Sequence, residues 1–156
     1  AAQAGLVVSM QPAHLLTDIP LIDRYWGSRG EGAYAFKSLL DAGAHLVFGS
    51  DVPVASLDPR QGVYAALERA TLEGGPMGGW HVRQRLRLEE VLRGYTVDAA
   101  RAAGTGSHRG LLAPGYDADL VAWAVDPAVE QDDGRAFLAG HAAFTVVDGE
   151  VMVMRV

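Results

Sequence analysis

Cysteine is absent from the 156 residues. Without a thiol there is no disulfide framework and no thiolate metal site, so any bound cation must rest on His, Asp, Glu or a modified side chain. The redox compartment is left open. Lysine is almost absent as well, since Lys37 is the single lysine among thirteen basic residues. Nineteen acidic residues leave a formal charge of −6 and no basic block, which argues against nucleic acid or an anionic membrane surface as a partner. No apolar run approaches the roughly 20 residues that a membrane span requires. The start, Ala1-Ala2-Gln3-Ala4-Gly5, lacks the basic region of a signal peptide. A soluble, cytoplasmic protein is the expectation. The chain opens on alanine without an initiator methionine and runs at once into Leu6-Val7-Val8, which reads as a piece of something longer.

What is there is ample core-forming material, 49% apolar residues, organised around 44–53. Leu46-Val47-Phe48 is apolar without polar alternation, the pattern of a strand buried on both faces in a helix-covered parallel sheet. Gly49, Ser50 and Asp51 follow, so Asp51 stands at a strand's C-terminal end, where ligands and catalytic groups collect in α/β folds. Alone, such an aspartate is more often a helix cap or turn former than a functional group. Residues 5–10 form a second apolar run that Pro12 should end, because proline has no N–H for a ladder. His14 then falls just past a strand end, in the same layer as Asp51.

Phe36, Leu39, Leu40 and Gly43 recur at i, i+3, i+4 and i+7, which predicts a helix over 29–42 stopped by Gly43. Strand, helix and strand make a βαβ unit with a parallel, right-handed pair. After Pro53, Asp58 is a candidate N-cap with Pro59 at the first helical position, and Val63, Ala66, Leu67 and Ala70 give that helix its apolar face. The glycine-rich stretch 74–79 lacks the Lys-Ser/Thr pair of a phosphate loop and reads as a flexible connection. Leu88, Val91, Leu92, Tyr95, Ala99 and Ala102 keep helical spacing up to Gly104, with Glu89 and Arg93 a predicted pair four apart. Beyond about residue 104 the pattern changes to strands and turns at 110–115 and 118–123. A hairpin follows over 144–153, signalled by Asp148-Gly149. The expected division is 1–104, of βα character, and 105–156, a small β segment.

Several stretches together resemble one family. They are Ser9-Met10-Gln11-Pro12-Ala13-His14, Ser38-Leu39-Leu40-Asp41-Ala42-Gly43, Phe48-Gly49-Ser50-Asp51-Val52-Pro53-Val54, Asp58-Pro59, Tyr95-Thr96-Val97-Asp98-Ala99-Ala100, the run from Gly110 to Val121, and Val146-Val147-Asp148-Gly149. In this order they resemble the C-terminal third of the amidohydrolase superfamily, in the branch called amidohydrolase family 3, the YtcJ-like hydrolases. The resemblance implies an α/β fold, the C-terminal part of a metal-dependent (β/α)8 barrel whose last two strands are 5–10 and 45–50. The β segment would belong to a small β-sandwich. It implies hydrolysis of a C–N bond, amide or formamide, in a small-molecule substrate, with a divalent metal, zinc first.

The family's aspartate at the end of the last barrel strand matches Asp51, which the resemblance thereby implies binds or faces the metal and shuttles the proton. His14 matches a position near the site and is expected to contact substrate. The family's other ligands, a His-x-His pair, a mid-barrel lysine or carboxylate and two further histidines, have no counterpart here, so tight metal binding by this chain alone is not expected. His45 reads as structural, and His81, His108 and His141 are not expected to be ligands. Asp119 reads as a turn or strand-entry residue. Trp26 and Arg29 follow the His14 loop, where they are candidates to line a substrate pocket, but the preferred expectation is a packed aromatic and a surface ion-pair partner. Two strands cannot close a barrel that takes roughly 200–250 residues. Their open edges should therefore be covered by upstream chain or by a second copy, and a non-catalytic, self-associating α/β module is the rival reading.

Overall fold

The structure is a computed structural model that describes residues 4–76, 78–125 and 133–154. Strands β1 (Val7–Met10) and β2 (His45–Phe48) pair in parallel, with Val7 opposite His45 and Met10 opposite Phe48. The Gly49 N–H then donates to the Met10 carbonyl at 3.3 Å, so both strands end at the same level. Between them lie a 3-10 turn at Pro12–His14, α1 (Leu15–Tyr25), a second 3-10 turn at Gly27–Gly32, and α2 (Phe36–Asp41).

The helix expected over 29–42 therefore starts at Phe36. The glycines at 27, 30 and 32 favour a tight turn over a helix interior. Gly43, at φ +78°, terminates α2 as expected. Sequence reading did not anticipate α1, although Leu15, Ile19 and Ile22 are helically spaced and all buried. Pro20 sits inside it, and the reading of 11–14 as a loop hid the pattern.

Helix α3 (Pro59–Glu68) begins as expected, the Asp58 carboxylate accepting from the Arg60 N–H at 3.0 Å. Its face of Val63, Ala66 and Leu67 is buried, as is Ala70 just beyond it. The helix anticipated over 88–102 breaks in two, α4 (Leu88–Tyr95) and α5 (Val97–Ala102), at Thr96, whose φ of −121° and ψ of −95° are not helical. The Thr96 hydroxyl instead caps back on the Leu92 carbonyl at 2.7 Å. Arg93 pairs across this break with Asp98 at 3.2 Å, and not with Glu89 as expected.

Just ahead of the glycine-rich connection, Thr71 and Gly74 exchange backbone hydrogen bonds in a tight turn. Behind it Trp80 is buried and its indole N–H donates to Asp23 at 2.8 Å. Arg69, with no exposed surface, joins these parts. Its guanidinium donates to the carbonyls of Trp80 (2.7 Å), Tyr34 (2.9 Å) and Ala33 (3.4 Å), and lies over the rings of Phe36 and Trp80.

The last part holds β3 (Leu120–Trp123), α6 (Gly134–Ala139), β4 (Ala142–Val147) and β5 (Glu150–Met154), the strands forming an antiparallel sheet in the order β3-β4-β5. Asp148 and Gly149 both take positive φ, 52° and 79°, as the two-residue hairpin turn demands. Asp119 accepts from the Asp148 N–H at 2.7 Å, the turn-bonding role expected of it. Residues 110–115 form turns, not a strand, and α6 replaces what reads as an all-β stretch. Helix α6 packs on α3, where the Gly134 N–H donates to Glu68 at 2.9 Å and Phe137 joins the common core.

That core runs through a chain of rings, Tyr34 to Phe36 at 5.9 Å and Phe36 to Phe48 at 5.4 Å edge-on, and Phe48 to Tyr95 at 5.5 Å tilted. It buries Leu46, Val47 and Phe48 of β2 as expected. β1 departs from the expectation of burial on both faces, because Val7 is 50% exposed and Leu6 before it is also exposed. Among the described residues nothing packs over that side of β1. Among them too, no helix is long and apolar enough to cross a membrane.

Candidate functional site at the strand ends

Because β1 and β2 stop together, the segments that follow them are brought side by side. The Pro12–His14 turn carries His14 over the end of β1, with the His14 N–H donating to the Gln11 carbonyl at 3.2 Å. After β2, Asp51 adopts left-handed backbone, φ +57°, a conformation that aspartate tolerates better than most residues but that still costs free energy. The Val54 N–H closes this turn on the Asp51 carbonyl at 2.8 Å.

The outcome is that His14 Nε2 lies 3.9 Å from Asp51 Oδ2. That is too long for a hydrogen bond, and Nε2, although buried, has no hydrogen-bond partner among the described residues. An oxygen or nitrogen off the line joining the two groups can bond to both. Asp51, with a side chain 53% exposed, is reachable from outside, whereas His14, at 24%, is set deeper. An unpaired buried imidazole nitrogen beside an accessible carboxylate is costly for stability alone and suited to gripping a ligand.

Beside this pair is a cavity of about 180 Å³, lined by Ala13, Gly49, Ser50, Asp58, Gly62 and Tyr95 among others. Tyr95 closes its inner side against Gly62, where a Cβ would collide with the phenol oxygen. Burial pushes the Tyr95 phenol up to about 12, so it is neutral and a potential hydrogen-bond donor. Asp58 turns its carboxylate to Arg60, whose hydrogen bonds hold it below the usual carboxylate range.

Two donors do not make a catalytic cation site, which takes about three protein ligands. Among the described residues no group of three or more His, Asp or Glu side chains is placed to hold a metal. His45 is exposed at the start of β2, far along the strand from Asp51, and His108 pairs loosely with Asp117 at 3.9 Å. His141 offers its carbonyl to the Ala124 N–H, and His81 meets Trp80 edge-on with ring centroids 4.1 Å apart. Lys37 is held by Asp41 and Glu90, each at 2.9 Å, so it braces α2 against α4.

Two side-chain expectations need correction. Trp26 is 52% exposed and lines a groove, not the core, because it follows the last turn of α1 on the outer side. Arg29 is exposed and makes no ion pair among the described residues. Sequence reading also missed Asp18 and Tyr34, whose carboxylate and phenol meet at 2.5 Å. The available signal was the stripe Asp18, Leu21, Ile22, Tyr25, spaced i, i+3, i+4 and i+7.

Comparison with known proteins shows which family the chain resembles. The chain is 36% identical over 121 residues to Protein LONG AFTER FAR-RED 3 of Arabidopsis thaliana, which covers 76% of the chain and 20% of that protein. It is 32% identical over 130 residues to putative amidohydrolase YtcJ of Bacillus subtilis (81% and 24%), and 32% identical over 94 residues to N-substituted formamide deformylase of Arthrobacter pascens (60% and 17%). Among solved structures, an uncharacterized metal-dependent hydrolase from Pyrococcus horikoshii superposes with a TM-score of 0.65 at 29% identity, over 75% of this chain and 24% of that one. The chain thus spans about a quarter or less of the length of these relatives. A family model described as amidohydrolase family matches residues 1–153, and the chain belongs to that family.

Proposed function

We propose that the whole protein is a metal-dependent hydrolase of C–N bonds, amide or formamide, in a small-molecule substrate. This chain would supply the last two strands of its (β/α)8 barrel in 1–104 and part of a small β-sandwich in 105–156. The observation that carries the reading is the pair at the strand ends, His14 Nε2 buried and unpartnered 3.9 Å from the accessible Asp51 carboxylate. The names of two relatives, an amidohydrolase and an N-substituted formamide deformylase, support the C–N bond.

In this reading Asp51 takes the proton of the attacking water and passes it to the leaving nitrogen, which spares the departing amine from leaving as an anion. His14 offers Nε2 to a polar atom of the substrate and so orients it. A divalent cation, zinc fitting nitrogen and oxygen donors well, would supply an acidified water. Asp51 could face that cation, but the remaining ligands must come from outside the described residues, so this chain alone should not hold it tightly.

The test is Asp51→Asn in the whole protein. Loss of nearly all turnover of an N-substituted formamide, with the fold and metal content kept, is expected. Turnover within about threefold of wild type would refute the proton role, since general acid–base catalysis contributes roughly 100-fold or more. A second reading, a non-catalytic self-associating module, is favoured by the exposed Leu6 and Val7 beside β1. Light scattering distinguishes the two, because that reading requires a dimer or larger assembly with no hydrolytic activity.

A further inference from the structure

A second concavity lies outside the strand-end pair. Between α1 and residues 32–34 runs a groove of about 480 Å³, within the size range of small-ligand sites. Ile22 and Ala33, both buried, form its base, while Tyr25 and Trp26, both more than half exposed, stand at its rim with Tyr34 opposite. Asp18 is the one charged residue among its lining residues.

The state of that carboxylate indicates what the groove suits. Oδ2 accepts the Tyr34 hydroxyl at 2.5 Å, and the Thr17 hydroxyl lies 3.4 Å from Oδ1. Both donors are neutral. Among the described residues no basic side chain pairs with Asp18, and Arg24, on the same helix, stacks instead over the Tyr25 ring at 5.2 Å. A carboxylate has about four acceptor sites, so two stay open after these contacts. Burial, then the bond to Asp18, push the Tyr34 phenol above its ordinary range, so at neutral pH it remains a proton donor and adds no charge. The groove therefore combines one carboxylate without an ion-pair partner among the described residues with the rings of Trp26 and Tyr34, aromatic surface of the kind that attracts cations, while the Tyr25 ring already carries Arg24.

We propose that this groove binds a small organic cation, an alkyl- or arylammonium whose nitrogen meets Asp18 and whose apolar body lies against Ile22, Tyr25 and Trp26. A free metal ion would gain little from the aromatic walls, and an anion would be repelled. The site does not depend on the hydrolytic reading, and Arg69 fixes its far wall by holding the Ala33 and Tyr34 carbonyls.

The experiment is a calorimetric titration of the full chain with phenethylammonium and with its neutral isostere 2-phenylethanol. The ammonium should bind about tenfold more tightly or better, the scale of one partly buried charge contact plus a cation–π contact. Asp18→Asn, which keeps an acceptor for Tyr34, should erase that preference. Trp26→Ala, at an exposed position, should weaken both ligands. Equal affinity of the native chain for the two ligands, no saturable binding of the ammonium, or an unchanged preference in a folded Asp18→Asn overturns the proposal. Should circular dichroism show Asp18→Asn unfolded, the native preference and Trp26→Ala decide between binding and none, and unchanged affinity in Trp26→Ala overturns the proposal as well.

Discussion

Replacing Arg69 with methionine tests how the core is tied together. The guanidinium is wholly buried and has no carboxylate partner among the described residues, where backbone carbonyls and ring faces offset its charge. Burial pulls its pKa down to about 10, which still leaves it charged at neutral pH. Methionine keeps much of the stem's volume but offers no donor, leaving the Trp80 and Tyr34 carbonyls without the bonds at 2.7 and 2.9 Å. Each bond to a charged donor is worth roughly 1.5–3 kcal/mol, giving about 3–6 kcal/mol for the pair. The contact to Ala33 at 3.4 Å is too long to add much. Because burying the charge also costs free energy that methionine avoids, the lower end, about 3–4 kcal/mol, is expected. Arg69→Lys should recover less than half, since an ammonium is a point charge and cannot bridge the 33–34 and 80 segments as a planar fork does. Equilibrium urea unfolding followed by tryptophan fluorescence gives the number. A loss below about 1 kcal/mol for Arg69→Met would refute the claim that this side chain ties the two segments together.

Gly94→Ala should destabilise the chain by about 1–3 kcal/mol in urea unfolding despite alanine's better helix propensity, because its Cβ would stand 2.5 Å from Cδ2 of the Phe48 ring. Asp58→Ala should cost about 1 kcal/mol by thermal unfolding through loss of the α3 cap. The Arg60 bonds lower the Asp58 pKa in the fold, so that part of the stability is present above the ordinary pKa of 3.8 and fades as pH falls below it. Asp58→Asn should keep the cap and flatten this acid-side loss, as stability measured from pH 2 to 6 would show. Zinc titrated calorimetrically into the chain alone should give no sub-micromolar binding, and such binding would mean that the histidines are misassigned.

What the sequence made legible was local chemistry. Pro12 as a strand stop, Asp58-Pro59 as a helix start, Gly43 as a helix stop and Asp148-Gly149 as a hairpin all act within a few residues of themselves, and each does in the structure what its chemistry predicts. The misses have a different origin. The 29–42 helix is shortened because glycines outweigh a periodicity that rested on its second half only. The break at Thr96 follows from α4 and α5 each packing on β2, a tertiary demand that apolar spacing alone does not encode. Arg69 reads as one more polar residue after a helix, and only the meeting of Ala33, Tyr34 and Trp80 around it turns it into a buried tie.

The strand-end pair shows how far such reading reaches into chemistry. A parallel register is enough to bring His14 and Asp51 to one end, since Met10 faces Phe48 and each residue follows its strand by three or four positions. Their separation is set by finer features, the 3-10 turn at Pro12–His14 and the left-handed backbone at Asp51, neither of which apolar pattern predicts. That strained aspartate is held by its turn while its carboxylate bonds to no donor in the described residues, and the imidazole beside it is left unpaired. Stability alone would favour closing that 3.9 Å gap with a hydrogen bond, and it is this opening that the proposed proton and substrate roles of Asp51 and His14 would use.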